Sequence, residues 1–134
     1  MVLFGGAGSL PNTVLTDTWV WDGSNWAMES PPTSPAGRSD SAMVYDSAHH
    51  EAILFGGAAG NLSFSSDTWA WDGTSWAQKL PQTSPPARYS HAMAYDAAHG
   101  QIVLFGGNDP NHVNSEFDDT WTWEAAPFQP PSAV

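Results

Sequence analysis

The chain has no cysteine among its 134 residues. Disulfides, thiolate zinc sites and cysteine nucleophiles are therefore excluded. Positive charge is almost as scarce. Arg38, Lys79 and Arg88 are the only bases against fourteen acids, which leaves a net charge of −11. A surface of that sign repels phosphate backbones and anionic headgroups, so neither nucleic acid nor membrane is an expected partner. No apolar run reaches eighteen residues, so the sequence holds no candidate transmembrane helix. No basic segment leading into an apolar stretch marks a signal peptide. Apolar residues nowhere recur at spacings of three and four, so helices are not expected either.

What the chain has in abundance is repetition. Leu-Phe-Gly-Gly occurs three times, at residues 3–6, 54–57 and 104–107, and Asp-Thr-Trp follows it each time, at 17–19, 67–69 and 119–121. The first motif recurs after 51 and 50 residues, the second after 50 and 52. A fixed period of about fifty residues is the signature of a repeat architecture.

Each unit reads as four antiparallel strands, a to d. Strand a is residues 41–45 or 91–95, closed by an Asp-led turn at 46–50 or 96–100. Strand b, 52–55 or 102–105, is a continuous apolar run of the kind buried on both faces. A loop of nine to eleven residues follows each Gly-Gly and differs between copies. Strand c then carries two indoles two residues apart, Trp19 and Trp21, Trp69 and Trp71, or Trp121 and Trp123, which places both on one face. Asp22-Gly23 and Asp72-Gly73 mark tight turns into strand d, which carries Trp26 or Trp76. Arg38 or Arg88 stands twelve residues further on, before the next strand a. The glycine pairs are expected to offer bare backbone on which an indole of strand c or d packs.

Four strands per unit, Gly-Gly after strand b (Gly5-Gly6, Gly56-Gly57, Gly106-Gly107) and Trp26 or Trp76 on strand d resemble the kelch repeat. Tyr45 and Tyr95 sit on strand a, where that family more often places its aromatic on strand b. The resemblance implies an all-β fold of kelch-type β-propeller blades, each of four antiparallel strands, in an incomplete array of about three blades. The repeats span 1–124, as a partial blade at 1–28, a full blade at 39–79 and a partial blade at 89–124, followed by a Pro-rich tail at 125–134. Ten strands, b-c-d, a-b-c-d and a-b-c, leave the array open at both ends. The chain is expected to be a piece of a longer propeller or to close a ring as a homodimer, with the Phe128 tail as a possible substitute strand.

Function is expected on the face bearing the b–c and d–a loops, because irregular loops on a rigid scaffold are the usual home of binding residues. Arg38 and Arg88 enter strand a, where the resemblance implies a ligand-facing position. Their forked guanidinium suits an acidic group, and the structural alternative is an ion pair with a nearby carboxylate such as Asp40. Tyr89 and His91 accompany Arg88, and Asn108, Asp109 and His112 offer oxygen and imidazole groups in the third loop. These seven residues are the candidate ligand-binding set. The third loop departs from the alternating Asp pattern of a calcium loop, so no metal is expected. His49 and His99 occupy equivalent turns beside a repeated Asp, and with His50 are expected to be hydrogen-bonded turn residues. All eight tryptophans lie in the repeat frame, which points to packing before sugar stacking.

No nucleophile elbow, zinc-protease motif or phosphate loop is present. The cysteine–tyrosine copper cofactor of some kelch-type oxidases is ruled out by the missing cysteine. The sequence thus points to a non-catalytic binding scaffold without cofactor. Its expected partner is a protein or a small polar or acidic ligand. The alternatives are a self-assembling structural fragment and a piece of a glycan-active propeller enzyme.

Overall fold

The computed structural model of the chain describes residues 1–124. Strand, turn and loop account for all of them. The elements are β1 (Val2–Phe4), β2 (Thr18–Trp21), β3 (Trp26–Glu29), β4 (Ala42–Asp46), β5 (Glu51–Phe55), β6 (Ala58–Ala59), β7 (Ser63–Phe64), β8 (Thr68–Trp71), β9 (Trp76–Lys79), β10 (Ala92–Asp96), β11 (Gln101–Phe105) and β12 (Thr120–Trp123). They form antiparallel sheets in the orders β1-β2-β3, β4-β5-β8-β9 and β10-β11-β12, with a separate hairpin β6-β7. The fold is all-β, as expected. The hairpin is the one addition to the ten expected strands. It lies in the second irregular loop and turns through Asn61 and Leu62, both at positive φ. The proline-rich stretch 125–134, with Phe128, lies outside the described residues.

One register repeats in all three sheets. Leu3 pairs with Trp19, Leu54 with Trp69 and Leu104 with Trp121. The neighbouring pairs are Phe4 with Thr18, Phe55 with Thr68 and Phe105 with Thr120. Leu-Phe-Gly-Gly and Asp-Thr-Trp are therefore two sides of one hairpin, which is why they recur together.

Strand alternation then divides the core in two. Ala52, Leu54 and Trp71 of the central sheet bury against Phe4 of the first, with Val2 and Val20 at the margin. Ile53 and Ala70, on the opposite face, bury against Ile102 of the third, with Met93, Tyr95 and Trp123 packed around them. β5 is consequently buried from Ala52 to Phe55, whereas in β11 burial alternates because only one face is covered by the described residues. Trp76 reaches from β9 across to the first sheet. It meets Phe4 edge-on at 5.3 Å, and its indole N–H donates to Thr18 Oγ1 at 3.0 Å. A buried indole needs such a partner for its N–H, and Thr18 supplies it in the neighbouring sheet. Among the described residues, a cleft of about 610 Å³ lies at the corresponding place between the central and third sheets, lined by Ile53, Phe55, Thr68, Met93, Leu104 and Trp121.

The glycine pairs do something other than receive indoles. All six residues of the three pairs have positive φ, so each pair bends the chain off strand b into its loop. At that bend the backbone comes against the segment leading into the next sheet. A Cβ on Gly5 would lie 2.7 Å from the Arg38 carbonyl oxygen, one on Gly56 2.7 Å from that of Arg88, and one on Gly57 2.7 Å from that of Ser39. The expected Gly-Gly and indole contact is replaced by a backbone-to-backbone contact, because the indoles lie on the sheet faces and the glycines lie beyond the strand end.

Gly57 and Gly73 separate these effects, since their φ values of 101° and 105° match and only Gly57 has neighbours within 4 Å of an added Cβ. Gly57→Ala should therefore destabilise the chain by about 1–3 kcal/mol more than Gly73→Ala in chemical denaturation. Equal losses would mean that backbone conformation, not close approach, selects glycine here.

Candidate functional site

Arg38 and Arg88 are fully buried, at 0% exposure. Each guanidinium is held by its own sheet. Arg38 makes a bidentate pair with Asp67, Nη1 to Oδ1 at 2.6 Å and Nη2 to Oδ2 at 3.0 Å, and also donates to the carbonyls of Gly56 and Ala36. Arg88 repeats this with Asp119 at 2.6 and 2.9 Å and with the carbonyls of Gly106 and Pro86. The indoles of Trp69 and Trp121 donate to the same carboxylates at 2.7 Å. Burial alone would raise the Asp67 carboxyl; the hydrogen bonds from Arg38 and Trp69 overcome it and hold the group below the usual range. The hydrogen bonds of Arg88 hold Asp119 at about 2, with Trp121 assisting against the opposing effect of burial.

The backbone of the same arginines faces the other way. The Arg38 carbonyl accepts from Gly6 N–H of the preceding loop at 2.8 Å, and the Arg88 carbonyl from Gly57 N–H at 2.9 Å. One residue thus grips two neighbouring sheets, one through its side chain and the other through its main chain. A ligand-facing role for the two arginines is not what this geometry provides. The ion-pair alternative describes them, with Asp67 and Asp119 as partners in place of Asp40. The Asp40 backbone is at positive φ and its carboxylate accepts from Ser39 Oγ instead.

Tyr89 is half-buried and stacks on Phe64 of the second loop at 5.1 Å, while its carbonyl accepts from Asn108 N–H of the third loop at 2.9 Å. It therefore ties two loops together. His91 is buried between Phe55 and the glycine bends at Gly56 and Gly107, and neither ring nitrogen has a hydrogen-bond partner among the described residues. Burial, assisted by the charge of Arg88 and weakly opposed by the Phe55 backbone, pushes it down to about 4.

In the third loop Asp109 accepts from Asn111 N–H at 2.9 Å and from His112 Nδ1 at 2.6 Å. The same Asp-x-x-His pairing closes the turns at Asp46 and His49 (2.8 Å) and at Asp96 and His99 (2.6 Å). His50, at positive φ, lies 3.5 Å from the Tyr45 hydroxyl. Among the described residues no three acidic or imidazole side chains converge as a metal would require.

The seven candidate residues therefore divide. Arg38, Arg88 and His91 lie beneath the loops, Tyr89 and Asn108 join them, and Asp109 with His112 shape the third loop. Sequence reasoning missed what projects beyond them. Leu10, Leu62 and Val113, one in each irregular loop, are 68, 83 and 94% exposed. Between the first two loops runs a recess of about 260 Å³, lined by Leu10, Asn12, Val14, Ala59, Asn61 and Leu62. The available signal was an aliphatic residue near the middle of each loop, though the loops also carry Val14, Leu15, Phe64 and Phe117. No family model and no curated protein matches this chain.

The depressed His91 carries a pH dependence. Its unfolded imidazole titrates near 6.5 and its folded one near 4, so the unfolded state binds more protons between these values. Stability should fall as pH drops from about 6.5 to 4, by up to about 3 kcal/mol, and the contribution should level off below. His91→Ser, which installs the residue found at the equivalent position 41, should flatten that segment of the stability–pH curve. A variant as steep as the parent would assign the dependence to other groups.

Proposed function

We propose that the chain is part of a kelch-type β-propeller and acts as a non-catalytic interaction scaffold, with its partner-binding surface on the three loops that follow the Gly-Gly bends. The exposed aliphatic trio Leu10, Leu62 and Val113 carries this reading. Large apolar side chains in solvent at loop tips cost solubility without serving the core, and two of the three, Leu10 and Leu62, line one recess, as the apolar centre of a protein-binding surface would. The loops are held in a row. The second meets the first along the Leu10–Leu62 recess and the third through Phe64, Tyr89 and Asn108. A row of fixed loops presents its tips at low entropic cost to a partner.

Blade architecture is supported by the common register of the three sheets and by their face-to-face packing through Phe4, Trp76 and Ile53. Self-association through the end sheets is the second reading. Phe105 is 55% exposed where its counterpart Phe55 is 3% exposed, and Trp26 is exposed where Trp76 is buried.

Panning a displayed peptide library against the chain tests the first reading. Selected peptides should lose at least about tenfold in affinity for a Leu10→Ser, Leu62→Ser, Val113→Ser variant whose thermal midpoint is unchanged, because anchors at an interface centre dominate its energy. Peptides that bind the variant and the parent equally, or that enrich on Trp26 and Phe105, would move the surface to the end sheets.

A further inference from the structure

The three loops that follow the Gly-Gly bends close in one way. Leu15 N–H donates to the Gly6 carbonyl at 2.9 Å, Ser65 N–H to the Gly57 carbonyl at 3.0 Å, and Phe117 N–H to the Gly107 carbonyl at 2.8 Å. Three residues before each donor stand Asn12, Leu62 and Asn114. All three lie in the left-handed region, at φ 59°, 60° and 58°. The closure therefore imposes one backbone conformation at one position of every loop. Two loops meet it with asparagine, whose short amide tolerates that region. The second loop meets it with leucine.

Leucine suits neither the turn nor the core. In the left-handed region its Cβ crowds the carbonyl that follows, and a bulky residue there is an outlier. Its side chain recovers nothing by burial, because Leu62 stands in solvent. Backbone outliers of this kind gather at functional positions. The surroundings point the same way. Leu62 and Leu10 both line the recess between the first and second loops, together with Val14 and Phe64, and no charged residue lines it. The three loops, residues 7–16, 58–66 and 108–118, carry Asp109, Glu116 and Asp118 but no lysine or arginine. Arg38 and Arg88 are consumed in their own ion pairs. An uncharged apolar seat on an acidic face selects an apolar side chain borne by a cationic segment. Met1, beside Trp21, and Trp123, beside Ile102, lie at the other end of the sheets from the loops, so the recess has described chain on both of its sides.

We propose that Leu62 is the anchor of the loop surface and sets its specificity: with Leu10 it seats one large apolar side chain of a lysine- or arginine-bearing segment of a partner protein. This role presupposes the loop surface proposed for the chain and names the chemistry that surface takes. The leucine is kept against the preference of its own turn, so stability and binding oppose each other at this position.

Leu62→Asn installs the residue of the other two loops and separates the two properties. The thermal midpoint of the intact chain should rise by about 2–5 °C. A displayed random-peptide library panned on the parent should enrich peptides with a large apolar residue flanked by lysine or arginine. Synthetic copies of them should bind Leu62→Asn at least about tenfold more weakly. Leu62→Met, which keeps an apolar side chain on the same backbone, should leave the midpoint unchanged and the affinity within about threefold. A midpoint that stays or falls in Leu62→Asn overturns the conflict between turn and leucine. Peptides that bind Leu62→Asn as well as the parent overturn the anchor; if Leu10→Ser or Val113→Ser then loses them, the loop surface stands without Leu62. Selected peptides free of basic residues overturn the partner chemistry. A parent chain that enriches no peptide overturns the surface and the anchor together.

Discussion

A guanidinium with no exposure cannot exist unpaired, and in this chain that constraint fixes how one sheet sits on the next. Desolvating two charges costs nearly as much as their attraction returns, so such a pair is a weak source of net stability. Its consequence is positional. The fork of Arg38 fits Asp67 in one orientation, and the Arg38 carbonyl must then meet the Gly6 amide. A slip between the first and central sheets would part the Gly6 amide from the Arg38 carbonyl, which the ion pair inside the central sheet holds in place. Arg88, Asp119 and Gly57 impose the same condition on the next junction. Stability itself comes from the apolar faces around Leu54 and Ile53, which tolerate sliding far better than a directional hydrogen bond does.

The glycine pairs follow from the same constraint. A side chain at Gly5 or Gly56 would collide with the very carbonyl that the arginine presents. The Asp-Thr-Trp motif follows too: the aspartate takes a guanidinium in the second and third copies, the threonine receives an indole from the next sheet in the first, and the tryptophan bonds the aspartate in all three. The proposed binding surface is displaced outward as a result. Residues that look chemically active, two arginines and a buried histidine, are occupied with assembly. On the proposed reading, what is left for a partner is the loop surface that the assembly holds still.

Periodicity made the strands legible. The repeated Leu-Phe-Gly-Gly and the paired indoles placed β1, β2, β5, β8, β11 and β12; the continuous apolar run promised strand b two buried faces, which β5 has and β11, where burial alternates, does not. The arginines' partners were not legible from neighbourhood. Asp40 is two residues from Arg38 while Asp67 is 29 away, and only a folded sheet brings the latter within 2.6 Å. The recurrence of that interval, 29 residues and then 31 from Arg88 to Asp119, was the clue in the sequence. The glycine pairs were misassigned to the indoles because composition shows that space is needed without showing for what. Positive φ carries those residues off the sheet, where a carbonyl and not a ring awaits them. The hairpin β6-β7 escaped notice because strands of two residues carry no alternation to read.

Amide hydrogen exchange in an Asp67→Asn variant tests the two-handed role of Arg38 most directly. Gly6 N–H, in the first sheet's loop, bonds the Arg38 carbonyl, and Gly57 N–H bonds the Arg88 carbonyl. If the ion pair sets the junction, loosening it at Asp67 should speed exchange at Gly6 well beyond any change at Gly57, although Gly57 is nearer to Asp67 along the chain. Equal acceleration at both amides, or none at Gly6, would contradict the account.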